Sequence, residues 1–213
     1  MALKLYLHPL SSYCHKVLIA CYENEIPFEP VILDGSSLAQ FKSLWPLGKF
    51  PVLHDEQRQQ LVPESSNIIE YLGLHYPGRL ALIPADADRA RQVRMRDRFF
   101  DLYLHAPMQK FPGDRLRPAD QRDPYGVEEA RRSYRTALDM VEADLAGKTW
   151  VMGEEFTMAD CAAAPALHYG NLFFGPFRET HPITMAYLHR MMQRPSYARA
   201  LKEAEPYMHL IPK

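Results

Sequence analysis

Little in this sequence is in excess, and each shortage narrows what the chain does. Its three cysteines, Cys14, Cys21 and Cys161, are an odd number without metal-type spacing. That argues against a disulfide framework and for a reducing, cytoplasmic location. Charge of one sign is lacking: 25 Lys and Arg face 26 Asp and Glu, a net charge of −1, which offers no basic field to nucleic acid or a membrane surface. No apolar run approaches the ~18–20 residues that cross a bilayer. Met1 to His8 carries alternating leucines rather than the charged head and long apolar stretch of a signal peptide. Nine histidines include no His-x-x-x-His pair, and no Cys-x-x-Cys occurs, so no metal site is expected. Repeats and low-complexity tracts are absent. What remains is an ordinary globular chain of 213 residues, 47% hydrophobic and 24% charged. It is long enough for one large domain or two modest ones, with a small-molecule substrate or a protein partner.

Periodicity divides the chain. Leu3, Leu5 and Leu7 alternate as in a half-buried strand. Cys14, Val17, Leu18 and Cys21 share one helical face, and Phe28 to Leu33 reads as a second strand. This first β-α-β predicts a right-handed parallel crossover. The middle is poorly defined. Pro51 to His54 and Leu61-Val62 then suggest a hairpin, and Ile68, Ile69, Leu72 and Tyr76 line one face of a helix over 64–76. Prolines and a glycine break the pattern at Pro77 to Pro84, and beyond it strand signals vanish. Helices are expected over 89–108, 127–146, from Phe156, over 184–193 and over 197–204. Thr157 and Asp160 form a candidate capping box, with Phe156 stapling onto Cys161. Arg89 to Arg98 is arginine-rich, but Asp86, Asp88, Asp97 and Asp101 interleave with it, which suits a solvated or subunit-facing helix better than nucleic acid. An α/β domain joined to an all-α domain is the result of pattern alone, and function does not follow from it.

Three segments carry chemistry. His8-Pro9-Leu10-Ser11-Ser12-Tyr13-Cys14 turns a strand into a helix, whose free N–H groups and positive dipole end suit an anion. Two serine hydroxyls there can each donate a hydrogen bond; equally, either can be an ordinary N-cap. Gly48-Lys49-Phe50-Pro51 opens a strand with a proline and is compatible with a cis bond. Such a turn would offer the Phe50 backbone to an extended ligand. Glu64 and Ser65 stand at another helix start, where carboxylate, hydroxyl and N–H could grip both charged ends of an amino acid, or simply cap the helix.

In this order and spacing the segments resemble the cytosolic glutathione transferase superfamily, over nearly the whole chain. The Ser11 stretch resembles the catalytic segment of the serine-using theta and zeta classes, Leu47-Gly48-Lys49-Phe50-Pro51-Val52-Leu53 the cis-proline segment, and Glu64-Ser65-Ser66 the glutamyl-binding step. Phe156-Thr157-Met158-Ala159-Asp160 is similar to the family's helical capping signature, and Arg194-Pro195-Ser196-Tyr197 to a common late motif. The resemblance implies an α/β thioredoxin-like N-terminal domain, β-α-β-α-β-β-α, over 1–77, a linker over 78–85, and an all-α substrate domain over 86–213. It implies glutathione as co-substrate, no metal, a small electrophilic substrate and a homodimer.

Carried over by residue, Ser11 would hold the glutathione thiolate, Phe50 and Pro51 the cysteinyl backbone, Glu64 and Ser65 the γ-glutamyl end, and Lys49 the glycyl carboxylate. Tyr103, His105, Met108, Phe111, Tyr169 and Phe173 would line the second-substrate pocket. The residues leave Ser12, Tyr13 and Tyr6 open beside Ser11 at the sulfur. Cys14 shares the apolar stripe of Val17, Leu18 and Cys21, which suits a buried, inert thiol, yet it stands at a helix start where thiol pKa values fall, which leaves open a redox enzyme. The same fold also serves as a non-catalytic interaction module, in translation-factor and transcription-associated relatives.

Overall fold

The structure, a computed structural model, describes residues 3–212; the expected starts at Met1 and the domain end at Lys213 lie outside the described residues. β1 (Leu3–Leu7) buries Leu3, Leu5 and Leu7 and leaves Lys4 and Tyr6 half-covered, as alternation requires. α1 (Ser12–Glu23) returns the chain to β2 (Glu29–Ile32), which pairs parallel with β1. α2 (Leu38–Leu44) fills the middle that periodicity leaves unread: it has seven residues and buries only Phe41, too little to show a stripe. β3 (Val52–Asp55) and β4 (Gln60–Pro63) form an antiparallel hairpin, and α3 (Ser65–His75) ends this part. The sheet order is β2-β1-β3-β4, and the element order is β-α-β-α-β-β-α.

The rest is helical: α4 (Ala87–Phe99), a π-helical segment (Phe100–His105), α5 (Ala106–Arg115), α6 (Pro124–Asp144), α7 (Met158–Phe173), α8 (Pro182–Gln193) and α9 (Pro195–Ala204). A 3-10 segment at Glu205–Leu210 follows. The single helix expected over 89–108 needs correction. It starts earlier, where the Asp86 carboxylate caps the Arg89 N–H, and runs past Met108 to Arg115. Between them the turn widens, with the Ala106 N–H bonded to the Asp101 carbonyl. Pro107 has no N–H to give the regular ladder, and a π turn absorbs the break without ending the helix. No helix among the described residues is long and apolar enough to cross a membrane.

One core runs through both parts, because α1 is wrapped by α3, α7 and α9. Ala162, Ala163, Ala164 and Ala166 of α7 are all buried and let its neighbours approach closely. Asp160 caps α7 as the sequence predicts: its carboxylate accepts from the Thr157 N–H in a closed capping box. The late Arg-Pro-Ser-Tyr motif also has a mechanical role. Arg194 Nε and Nη2 donate to the Glu23 carboxylate at 2.6 and 2.8 Å, and Ser196 Oγ donates to it as well. This ties the end of α1 to the start of α9. Burial alone would raise the Glu23 carboxyl, but bonds from Arg194 and Ser196 outweigh it and leave the group below the ordinary carboxylate value. Glu23→Ala, which strands a guanidinium, is expected to cost about 3 kcal/mol in a denaturant titration. In the wild type this contribution is present above the ordinary value of 4.5 and fades as the pH falls through the lower folded-state value. Equal denaturation midpoints for variant and parent would refute the latch.

Candidate functional site

The sheet and the helical part meet along two neighbouring sections of surface cavity. The first, of about 250 Å³, is lined by Ser11, Ser12, Phe50, Met108, Gln109, Tyr169 and Phe173, with His8, Leu10 and Pro112, and is closed by Leu210, Ile211 and Pro212. The second, of about 240 Å³, is lined by Tyr13, Trp45, Lys49, Phe50, Pro51, Glu64, Ser65, Ser66, Asp101 and Leu102. Phe50 belongs to both, so the sections adjoin.

Each wall has a local cause. The Ser11 N–H donates to the His8 carbonyl at 2.9 Å, closing the turn through Pro9. Ser11 is the N-cap of α1 with extended dihedrals, and its Oγ accepts from the Cys14 N–H at 3.3 Å. One lone pair of that hydroxyl is thereby occupied, and its hydrogen is the group it can donate. Ser12 is buried, and its Oγ accepts from Gln109 Nε2 at 3.0 Å. The Phe50–Pro51 peptide is cis. Glu64 stands at φ 70°, ψ 123°, uncommon for a residue with a side chain, and makes no capping bond of its own. Such a conformation costs roughly 1–3 kcal/mol and persists where its surroundings enforce it. The first bond of α3 runs from the Ile68 N–H to the Glu64 carbonyl at 2.8 Å, so the amides before it are free at the helix end. The second section thus joins an anion-binding helix start, a lysine and a carboxylate.

The remaining candidates at the sulfur separate by environment. Burial pushes the Cys14 thiol up to about 12, which leaves essentially no thiolate at neutral pH. Burial also raises the Tyr13 phenol, and the nearby Asp101 and Glu64 charges add to it, so Tyr13 stays protonated. Tyr6 packs on Phe41 of α2, with ring centroids 5.5 Å apart.

Of the six aromatic, histidine and methionine candidates on the helices, Met108, Tyr169 and Phe173 line the first section. Phe111 does not reach it but stacks behind Phe173 at 5.5 Å. Tyr103 lines neither section: helical rotation puts Leu104 and Met108 inward and leaves Tyr103 57% exposed, packed against Phe99. His105 is wholly buried behind Tyr13, with ring centroids 4.5 Å apart, and also lines neither section. Gln109, Asp101 and the closing residues 210–212 also line these sections, beyond the residues expected from the sequence. The Asp97, Asp101, His105 spacing of four, one helical face, was the available signal for Asp101; nothing local marks the other residues.

Comparison with known proteins agrees with this architecture. The chain matches the family model of the glutathione S-transferase N-terminal domain over residues 5–80 and of the C-terminal domain over residues 103–195. Glutathione S-transferase GstB of Escherichia coli (strain K12) is 26% identical over 197 residues, covering 90% of this chain and 93% of that protein. A stringent starvation protein A homolog of Haemophilus influenzae is 29% identical over 206 residues, covering 91% and 87%. The crystal structure of a glutathione S-transferase from Methylobacillus flagellatus with glutathione bound superposes with a TM-score of 0.84 at 25% identity, covering 93% of this chain and 98% of that one. With both halves matched in order and the thioredoxin-like and helical parts in place, the chain belongs to the glutathione transferase superfamily.

Proposed function

We propose that the protein is a glutathione transferase that holds glutathione as its thiolate at Ser11 and presents it to a small hydrophobic electrophile, for conjugation or reversible isomerisation. Residues 1–77 act as the glutathione domain and 86–213 as the substrate domain. Lys49, Phe50, Pro51, Glu64 and Ser65 hold the tripeptide along the second section: Glu64 meets the ammonium, the Ser65 amide and hydroxyl the glutamyl carboxylate, and Lys49 the glycyl carboxylate. The electrophile occupies the first section, against Met108, Tyr169 and Phe173. There a hydroxyl donor, a helix N-terminus and an apolar wall converge.

The energetics suffice without a base. A thiol of pKa ~8.5 is a few per cent ionised at neutral pH, and lowering that value by about two units takes ~2.7 kcal/mol. One hydrogen bond to the charged sulfur contributes ~1.5–3 kcal/mol and the helix end ~0.3–1. Placing thiolate and electrophile side by side then supplies much of the rate. The single observation that carries this proposal is the Ser11 hydroxyl at the N-terminus of α1, its acceptor side engaged by the Cys14 N–H, in a section that shares Phe50 with the one holding Glu64 and Ser65.

A homodimer in the cytoplasm completes the proposal. Leu74 of α3, Met95 of α4, and Leu102 and Tyr103 of the π segment are all exposed, on elements joined by the Glu70–Arg94 ion pair. The similarity to a stringent starvation protein A homolog favours a second reading, a transferase-like interaction module. Titrating glutathione into the protein and assaying a panel of small electrophiles decides between them. Binding with turnover is expected; no binding and no thiol transfer would leave the interaction module standing.

A further inference from the structure

A thiolate held at Ser11 accounts for the nucleophile; the charge that develops on the electrophile still needs a donor. The polar side chains lining the first section are His8, Ser11, Ser12, Gln109 and Tyr169. Ser11 belongs to the sulfur, and Gln109 and Ser12 bond each other at 3.0 Å. His8 and Tyr169 remain. Tyr169 comes from α7, on the far wall. His8 stands three residues before Ser11, and its carbonyl accepts from the Ser11 N–H at 2.9 Å. One closed turn therefore carries both residues and sets their separation.

The His8 ring is fixed from two sides. Its Nδ1 accepts from the Leu10 N–H at 3.2 Å, and Tyr207 packs edge-on against it with ring centroids 5.5 Å apart. A backbone N–H can only donate, so Nδ1 is the bare nitrogen and the hydrogen of the neutral ring is on Nε2. Nε2 has no hydrogen-bond partner among the described residues, and it is not sealed in the core. Burial lowers the His8 pKa from its ordinary value, which keeps the ring neutral at physiological pH. A neutral ring in this tautomer has no lone pair at Nε2 to take a proton. It has one N–H to give, and a neutral imidazole donor can polarise a carbonyl.

We infer that His8 is a further catalytic residue, whose Nε2–H holds the carbonyl oxygen of an α,β-unsaturated carbonyl substrate while the glutathione sulfur attacks the β-carbon. This rests on the glutathione reading above and narrows its electrophile. In the step, a sulfur lone pair forms the S–C bond at the β-carbon, the C=C pair shifts toward the carbonyl carbon, and the C=O pair moves onto oxygen as an enolate. A water molecule then protonates the α-carbon, replacing the proton that the thiol lost on ionising, and no leaving group departs. The hydrogen bond from Nε2 strengthens as the oxygen gains charge, so it lowers the barrier more than it tightens binding. An alkyl halide develops no charge on a conjugated oxygen and gains nothing from it.

The test compares benzylideneacetone, an enone, with benzyl chloride in steady-state kinetics of the intact protein at saturating glutathione. His8→Asn keeps an oxygen for the Leu10 N–H and removes the donor at Nε2, whereas the longer His8→Gln restores an N–H there. In His8→Asn, kcat/KM for the enone is expected to fall roughly 10- to 100-fold, the range of one hydrogen bond to a charged oxygen, with benzyl chloride turnover and the thiolate absorbance titration unchanged. His8→Gln is expected to recover enone turnover. Equal losses on both substrates, or a shifted thiolate titration, would make His8 a support of the Ser11 turn and overturn the inference; an undiminished enone rate overturns it as well. An enone-specific loss in Tyr169→Phe, with none in His8→Asn, gives the role to Tyr169 instead. Should the variants not fold, nitrogen NMR of the wild-type His8 ring is expected to show a protonated Nε2 and a bare Nδ1, and the reverse tautomer overturns the inference. A wild type that turns over benzyl chloride but not the enone defeats this inference alone, whereas one that binds no glutathione defeats the reading beneath it.

Discussion

Replacing Ser11 with alanine is expected to raise the pKa of the bound glutathione thiol by about one to two units and to lower kcat/KM at neutral pH roughly 10- to 100-fold. The magnitude is that of one hydrogen bond to a charged acceptor. The direction follows from what the hydroxyl stabilises: its hydrogen bond favours the ionised sulfur, so removing it favours the thiol. Ser11 also caps α1 through the Cys14 N–H, and losing that bond costs about 1 kcal/mol of stability. The decisive readout is therefore the ultraviolet absorbance of the bound thiolate against pH, which a small loss of fold stability does not move. Ser12→Ala is the internal control. Ser12 Oγ is engaged by Gln109 and lies in the same section, so a larger shift in Ser12→Ala than in Ser11→Ala would transfer the role by one residue. Unchanged thiolate titration in both variants would remove the serine mechanism altogether. Cys14→Ala should leave the titration alone, because burial keeps that thiol protonated.

The second large effect concerns folding. Asp160 is completely buried in the helical part and accepts from the Val151 N–H at 2.8 Å, the Thr157 N–H at 2.9 Å, the Tyr187 hydroxyl at 2.8 Å and the Thr157 hydroxyl at 3.2 Å. Asp160→Ala strands all of these donors where no water replaces the carboxylate. The expected loss is roughly 3–5 kcal/mol, against a total stability of ~5–15 for a native protein. Guanidinium denaturation measures it, and a loss under about 1 kcal/mol would show that the donors re-pair. Burial also lifts the Asp160 carboxyl to about 6, its four donors offsetting only part of the desolvation. The folded state therefore holds this proton more tightly than the unfolded chain, whose value is near 3.8. The stability this group contributes is complete below 3.8 and is lost as the pH rises through about 6. Asp160→Asn, which does not titrate, should flatten that part of the stability–pH curve.

The contrast between these two sites shows which information is local. The capping box at Thr157 and Asp160 was legible because a cap is written within four consecutive residues. The alternation of β1, the stripe of α1 and the hairpin of β3 and β4 were legible for the same reason, each being a short-period pattern. The Ser11, Pro51 and Glu64-Ser65 segments stood out because turn and helix-start chemistry depends on neighbours in the chain.

Determined by the sequence alone, then, were β1, α1 and the β3–β4 hairpin, the cap of α7 and the residue types at the head of the cleft, all set by interactions spanning a few residues. Only the tertiary structure decided the rest: which helical aromatics face the cleft, with Tyr103 turned outward and His105 sealed behind Tyr13; the π turn that Pro107 imposes between α4 and α5; and the meeting of Lys16 with Asp101, 85 residues apart, and of Ser12 with Gln109, 97 apart. Side-chain direction on a long helix depends on its rotation against its neighbours. A buried charge can be paired by any segment that packs nearby, and no local pattern encodes either choice.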